Sequence, residues 1–143
     1  SERDHPVPYG PGRPGLYALD LRTGEYIWRA PAQDVCNGRP GCYPGLSAPV
    51  TALSGVVFAG SLDGHLRAYA ADSGSVVWDY DTAREFTELT GASGRGGSID
   101  AVGPVAAAGM VYVNSGYALF RQMPGNVLLA FSPAVGARAN AGN

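Results

Sequence analysis

The sequence predicts an all-β fold, a fragment of about three blades from a β-propeller with four-stranded antiparallel blades. Three observations carry this. The first is a repeat. Ala18, Gly24 and Trp28 recur fifty residues on as Ala68, Gly74 and Trp78, and Leu66, Ala68 and Gly74 recur in decayed form sixty-two residues on as Leu128, Ala130 and Gly136. Periods of this length mark propeller blades or other repeat arrays. The second is a series of short alternating apolar runs bounded by turn residues. The third is composition. The 21 Gly and 11 Pro among 143 residues are interleaved with β-branched and aromatic runs, which is turn-rich β structure rather than disorder.

Residues 1–14, with four Pro and two Gly among charges, read as a loop or arm. Residues 15–31 hold the outer strands of one blade, at 16–20 and 25–28. Gly24 turns the chain between them, because a tight hairpin turn favours a residue tolerating positive φ. A connection over 29–48 carries both cysteines. The one complete blade covers 47–81, with strands at 49–53, 56–60, 65–70 and 76–81. Asp63-Gly64 between two apolar runs is a strong hairpin signal. Residues 82–100 form a second long connection, with glycines at 91, 94, 96 and 97.

The pattern restarts over 101–132. Pro104 to Ala107 echoes Pro49 to Ala52, and residues 109–115 echo 55–61 position by position. Eight extra residues fall within 116–125, where the complete blade turns at 63–64. A third strand covers 127–131, and the outer strand is lacking. Residues 133–143 read as a flexible tail. The strand count is therefore two, four and three. A closed propeller needs at least about four blades. The remaining blades are expected from a companion chain, as the rest of a longer or cut protein, or from further copies.

Net charge is -2, Lys is absent, and ten Arg are scattered among twelve carboxylates. No basic stripe exists to hold a phosphate backbone, so no nucleic-acid partner is expected. No apolar run has the length of a membrane span. Cys36 and Cys42 enclose five residues rich in Gly and Pro. A local disulfide is the preferred reading and implies an oxidising compartment. Two reduced thiols in a loop are the plain alternative. A metal site is the weakest option, since neither His5 nor His65 stands at a ligand-like spacing.

In a four-strand meander, the loop between strands two and three shares a face with the blade-to-blade connections. The long loops 29–48, 82–100 and 116–125 all belong to that face, where binding residues gather. On it, Asp100 is the best-placed carboxylate for a metal ligand or a base. It could equally cap the Gly-rich loop. Arg95 could pair with a cofactor carboxylate, or be a solvated or internally paired cation. Asn114 could give an oxygen to a hard cation, or satisfy hairpin backbone. Gly96 and Gly97 make no phosphate cradle, because no helix follows. His65, just after a turn, reads as a surface residue.

The repeat A-x-x-x-x-[ST]-G-x-x-x-W has a physical job. Trp28 and Trp78 can lie flat between neighbouring blades, each burying about 150–250 Å². Ala18, Gly24, Ala68 and Gly74 keep the backbone close enough. This pattern resembles the tryptophan-docking motif of pyrroloquinoline-quinone (PQQ) dehydrogenases and their propeller relatives. The segments CYPGLSAPVTALSGVVFAGSLDGHLRAY, GGSIDAVGPVAAAGMVYVNSGY and QMPGNVLLAF resemble the C-terminal part of polyvinyl-alcohol dehydrogenases, over roughly residues 36–131.

The resemblance implies an eight-bladed quinoprotein propeller, PQQ on the axis with Ca²⁺, and oxidation of small or polymeric secondary alcohols in the periplasm or outside the cell. A carboxylate would remove a proton as hydride passes to the quinone. The haem-binding region associated with that family is not in this chain. Its calcium ligands and catalytic Asp map onto no motif here. Trp78-Asp79-Tyr80-Asp81 only mimics a related active-site string, because Trp78 is the docking residue of an outer strand. Two other readings stand beside the enzyme. One is a non-catalytic binding or scaffold propeller. The other is a self-assembling subunit whose open edges pair with other copies.

Overall fold

A computed structural model describes residues 12–87, 89, 91–100, 102–117 and 120–133. The arm at 1–11, Gly136 of the decayed repeat and the tail at 134–143 lie outside the described residues. The described chain is all-β, with eleven strands in four antiparallel sheets. β1 (Gly15–Leu19) pairs with β2 (Tyr26–Pro31). β3 (Thr51–Leu53), β4 (Val56–Gly60), β5 (His65–Ala70) and β6 (Val76–Asp81) form a four-stranded meander. β7 (Glu85–Thr87) and β8 (Ser93–Arg95) make a small hairpin within the segment expected to be a plain connection. β9 (Val105–Ala107), β10 (Met110–Ser115) and β11 (Val127–Phe131) form a three-stranded sheet.

The repeat acquires a geometric meaning in the register. Ala18 pairs with Trp28 and Ala68 pairs with Trp78, each next to a register shift. A small residue stands across from the indole, so the indole can lean off its own sheet. Trp28 leans onto the turn of the second sheet, where its Nε1 donates to Ala71 O at 2.9 Å. A Cβ on Gly74 would lie 2.4 Å from Trp28 Cε3, and Gly74 has φ +71°. That position needs glycine both for the turn and for the contact. Trp78 stacks on Tyr80 at 5.8 Å and meets Phe131 of the third sheet edge-on at 5.2 Å.

Between the second and third sheets lies the main core of Ala48, Leu66, Ile99, Val111 and Val113, with Phe58, Trp78, Leu129 and Phe131 packed on it. Leu66 and Ile99 are completely buried, and each contributes about 2 kcal/mol of apolar burial. Alternation along β10 explains the arrangement. Val111, Val113 and Ser115 face the second sheet, and the residues between them face away.

Candidate functional site

The long loops meet on one face of the sheets. Their hub is Met123, in the loop between β10 and β11. Its N–H donates to Gly41 O at 3.1 Å and to Ser98 Oγ at 3.1 Å, and its carbonyl accepts from Ser98 N at 2.9 Å. Cys36 and Cys42 form a disulfide, and its two halves pack with Met123 and Ala83 in a second small core. The disulfide ring, the Gly-rich segment and the β10–β11 loop are thus one layer.

Beneath it runs a closed set of buried hydrogen bonds. Thr82 Oγ1 lies 2.6 Å from Gly64 O and 2.7 Å from Ser115 Oγ. Ser115 Oγ also accepts from Gly97 N at 2.9 Å, and Ser98 Oγ donates to Leu62 O at 2.6 Å. Among the described residues no buried side-chain nitrogen or oxygen lacks a partner. The buried side chains of this layer are thus satisfied from within.

No hydrogen bond or ion pair joins the three residues singled out for cofactor binding. Asp100 accepts from Gln122 Nε2 at 3.0 Å through one oxygen and from the Ser47 hydroxyl through the other. Both oxygens therefore already hold loops together. Arg95 is exposed, and its Nη1 donates to Glu85 Oε1 at 2.6 Å across the β7–β8 hairpin. Asn114 stands on the surface of β10 that faces away from the second sheet, opposite to Ser115 and the loop-layer cluster. Among the described residues no group of three or more His, Cys, Asp or Glu could hold a metal ion.

A charged network stands out that motif reading misses. Asp63 is almost wholly buried in the β4–β5 turn. One oxygen accepts from His65 N at 2.9 Å, and the other accepts from Arg67 Nη2 at 2.9 Å. Arg67 Nε reaches Asp79 at 3.1 Å, and His65 Nδ1 lies 2.7 Å from the same carboxylate. His65 is therefore not a free surface residue, because its side chain is mostly covered and bonded to Asp79 on the neighbouring strand. Burial works against the Arg67 charge, but Asp63 and then Asp79 outweigh it and hold the guanidinium above its ordinary range. The signal was present in the sequence. Pairing Ala68 with Trp78 puts Arg67 across from Asp79.

Burial pushes the neighbouring Tyr69 phenol above its ordinary value. A raised value means that the Tyr69 contribution to stability is whole below the unfolded-chain value of 10.0 and is lost as pH climbs through the folded one. In an alkaline titration followed by phenolate absorbance, one of the eight tyrosines is expected to ionise late, together with loss of native circular dichroism. Ionisation of every tyrosine before any unfolding would contradict this.

An apolar groove of about 900 Å³ opens between the second and third sheets, lined by Phe58, Trp78, Tyr80, Val111 and Phe131 among others. It lies at the tight-turn end, beside Val56 and Gly109, and away from the loop layer. It lacks the convergent polar groups of a quinone site.

A family model described as "Outer membrane protein assembly factor BamB" (PQQ_2) matches residues 13–139. The chain is similar to polyvinylalcohol dehydrogenase of Pseudomonas sp, with 45% identity over 132 residues that cover 85% of this chain and 21% of that protein. It is 42% identical to polyvinylalcohol dehydrogenase of Sphingopyxis sp. (strain 113P3) over 134 residues, covering 85% of this chain and 20% of that protein. It is 37% identical to quinohemoprotein alcohol dehydrogenase ADH-IIG of Pseudomonas putida over 82 residues, covering 54% of this chain and 11% of that protein. The chain spans about one fifth of the length of the two polyvinylalcohol dehydrogenases it matches.

Proposed function

Because the chain belongs to the PQQ_2 propeller family, we propose that it is part of a PQQ-dependent alcohol dehydrogenase that oxidises secondary alcohols, polymeric ones included. The observation carrying this is identity above 40% across 85% of the chain to two proteins named polyvinylalcohol dehydrogenase. In this reading the portion has a supporting role. Its loop layer is extensively hydrogen-bonded within itself, and Arg95 and Asp100 each already hold a partner in the chain. PQQ and Ca²⁺ are then held mainly by residues elsewhere in the protein, and this portion braces the face on which they sit. The Cys36–Cys42 disulfide supports a periplasmic or extracellular location, since such bonds persist in oxidising compartments. No helix among the described residues is long and apolar enough to cross a membrane.

The second reading is a non-catalytic scaffold propeller, favoured by the assembly-factor description of the matching family and by the partners that Arg95 and Asp100 already hold. One experiment separates the two. The natural polypeptide carrying these residues is loaded with PQQ and Ca²⁺, and reduction of an artificial dye is followed with polyvinyl alcohol and with a small secondary alcohol. Quinone-dependent reduction is the expected result. A folded protein that takes up no quinone and reduces no dye with either alcohol is a scaffold.

A further inference from the structure

Counted between the equivalent pairs Ser61 and Leu66, and Ser115 and Leu128, the β10–β11 loop has eight more residues than the β4–β5 loop. The shorter loop turns at Asp63-Gly64, and both residues are buried. The longer loop instead sends Tyr117 and Phe120 outward, 56% and 75% exposed. A third ring, Tyr43, is 50% exposed in the segment that follows the disulfide. The two segments meet backbone to backbone. Met123 N donates to Gly41 O at 3.1 Å, and a Cβ on Gly41 would lie 3.0 Å from Arg121 O. Tyr43 follows this contact by two residues and Phe120 precedes it by one.

Each ring stands on a tethered backbone or hydroxyl. Phe120 N donates to Gln122 Oε1 at 2.7 Å, Gln122 Nε2 donates to Asp100 at 3.0 Å, and Asp100 also accepts the Ser47 hydroxyl. The Tyr117 hydroxyl donates to Asn126 O at 3.2 Å. Tyr43 adjoins Cys42 of the disulfide. Single exposed apolar side chains are ordinary. Three rings on tethered segments, two of them in a loop that the second sheet manages without, are a surface whose freedom is reduced before any ligand arrives. Nearby charges are largely engaged, since Asp100 holds Ser47 and Gln122, and Arg39 Nη1 lies 3.7 Å from Met123 Sδ. Arg121 is exposed and can donate to a hydroxyl oxygen. Ring faces beside one guanidinium suit an uncharged chain that alternates methylene and hydroxyl-bearing carbons.

We propose that Tyr43, Tyr117 and Phe120 form a binding platform for a long polyhydroxylated hydrocarbon chain, outside the catalytic centre. Methylenes cover the rings and hydroxyls meet Arg121. The proposal rests on the reading of this chain as part of an alcohol dehydrogenase that accepts polymers. It adds where the polymer is held. A polymer longer than a catalytic pocket keeps most of its length outside it, and retention there raises the local concentration of reacting units.

The test uses the natural polypeptide, first without added quinone. Retardation in native gels containing polyvinyl alcohol reads binding without turnover. The double variant Tyr43→Ala, Phe120→Ala is expected to bind roughly tenfold more weakly, with Tm close to that of the parent because both side chains are exposed. Phe120→Tyr keeps a ring and should bind as the parent does. After loading with PQQ and Ca²⁺, the double variant should lose polymer kcat/KM relative to small-alcohol kcat/KM by the same factor, through KM. A parent that is not retarded, or a double variant retarded like the parent, overturns the platform. So does an equal loss with the small alcohol, or stronger retardation by polyacrylate than by polyvinyl alcohol. A parent retarded through these rings that reduces no dye contradicts the dehydrogenase reading and leaves the platform standing. A parent that oxidises both alcohols, with a double variant that binds polymer normally, does the reverse.

Discussion

Asp63→Ala is expected to lower stability by about 3 kcal/mol, near the lower end of what breaking a buried ion pair costs. The carboxylate is 1% exposed and the Arg67 side chain 12% exposed. Removing Asp63 therefore leaves a largely buried guanidinium with only Asp79 for company. It also strips the His65 amide of its acceptor at the turn. Asp79 is different, since its side chain is 40% exposed and water can replace it. Asp79→Ala should cost under about 1 kcal/mol. Asp63→Asn keeps the shape and one acceptor and should fall between the two. Urea unfolding followed by tryptophan fluorescence reads all three variants, because Trp28 and Trp78 sit at the two contacts between neighbouring sheets. An Asp79→Ala variant as damaged as Asp63→Ala would mean that the outer carboxylate, and not the buried one, carries the network.

The parts of the fold legible in the sequence were those written in short-range chemistry. Asp63-Gly64 announced its hairpin, and Gly64 has φ +86°. Gly24 and Gly74 marked the two turns at which Ala18 faces Trp28 and Ala68 faces Trp78. The β7–β8 hairpin was not legible, because Glu85–Thr87 and Ser93–Arg95 have three residues each, too few to show a period. Its strands pair through their backbones, and Arg95 reaches Glu85 across them. Site residues were harder for a related reason. A carboxylate beside a Gly-rich loop looks the same on paper whether it awaits a cation or ties loops together. Only the approach of Ser47 and Gln122, from segments 53 and 22 residues away, decides that Asp100 ties loops.

Gly96→Ala is expected to cost about 3 kcal/mol, at the upper end of overpacking penalties. Gly96 is not held in a left-handed conformation, so the requirement for glycine there is one of space. A Cβ would fall 1.8 Å from Thr82 O and 2.8 Å from Ser115 Oγ. The first contact is with backbone, so no side-chain rotation relieves it. The backbone of Gly96 cannot retreat either, since its N–H donates to Arg84 O at 2.9 Å. The strain passes to Gly97, which bonds with Ser115, and through Ser98 to Met123 and the disulfide ring. Hydrogen exchange should therefore accelerate at Ser98 and Met123 while β4 and β5 stay protected. Gly55→Ala separates space from conformation. Gly55 has φ +81° with nothing within 4 Å of its virtual Cβ, so its substitution should cost about 1 kcal/mol from backbone strain alone. If Gly96→Ala costs no more than Gly55→Ala, close approach is not what binds the loop layer to the sheets. In that case the hydrogen bonds of Thr82 and Ser115 tolerate more displacement than their buried geometry implies.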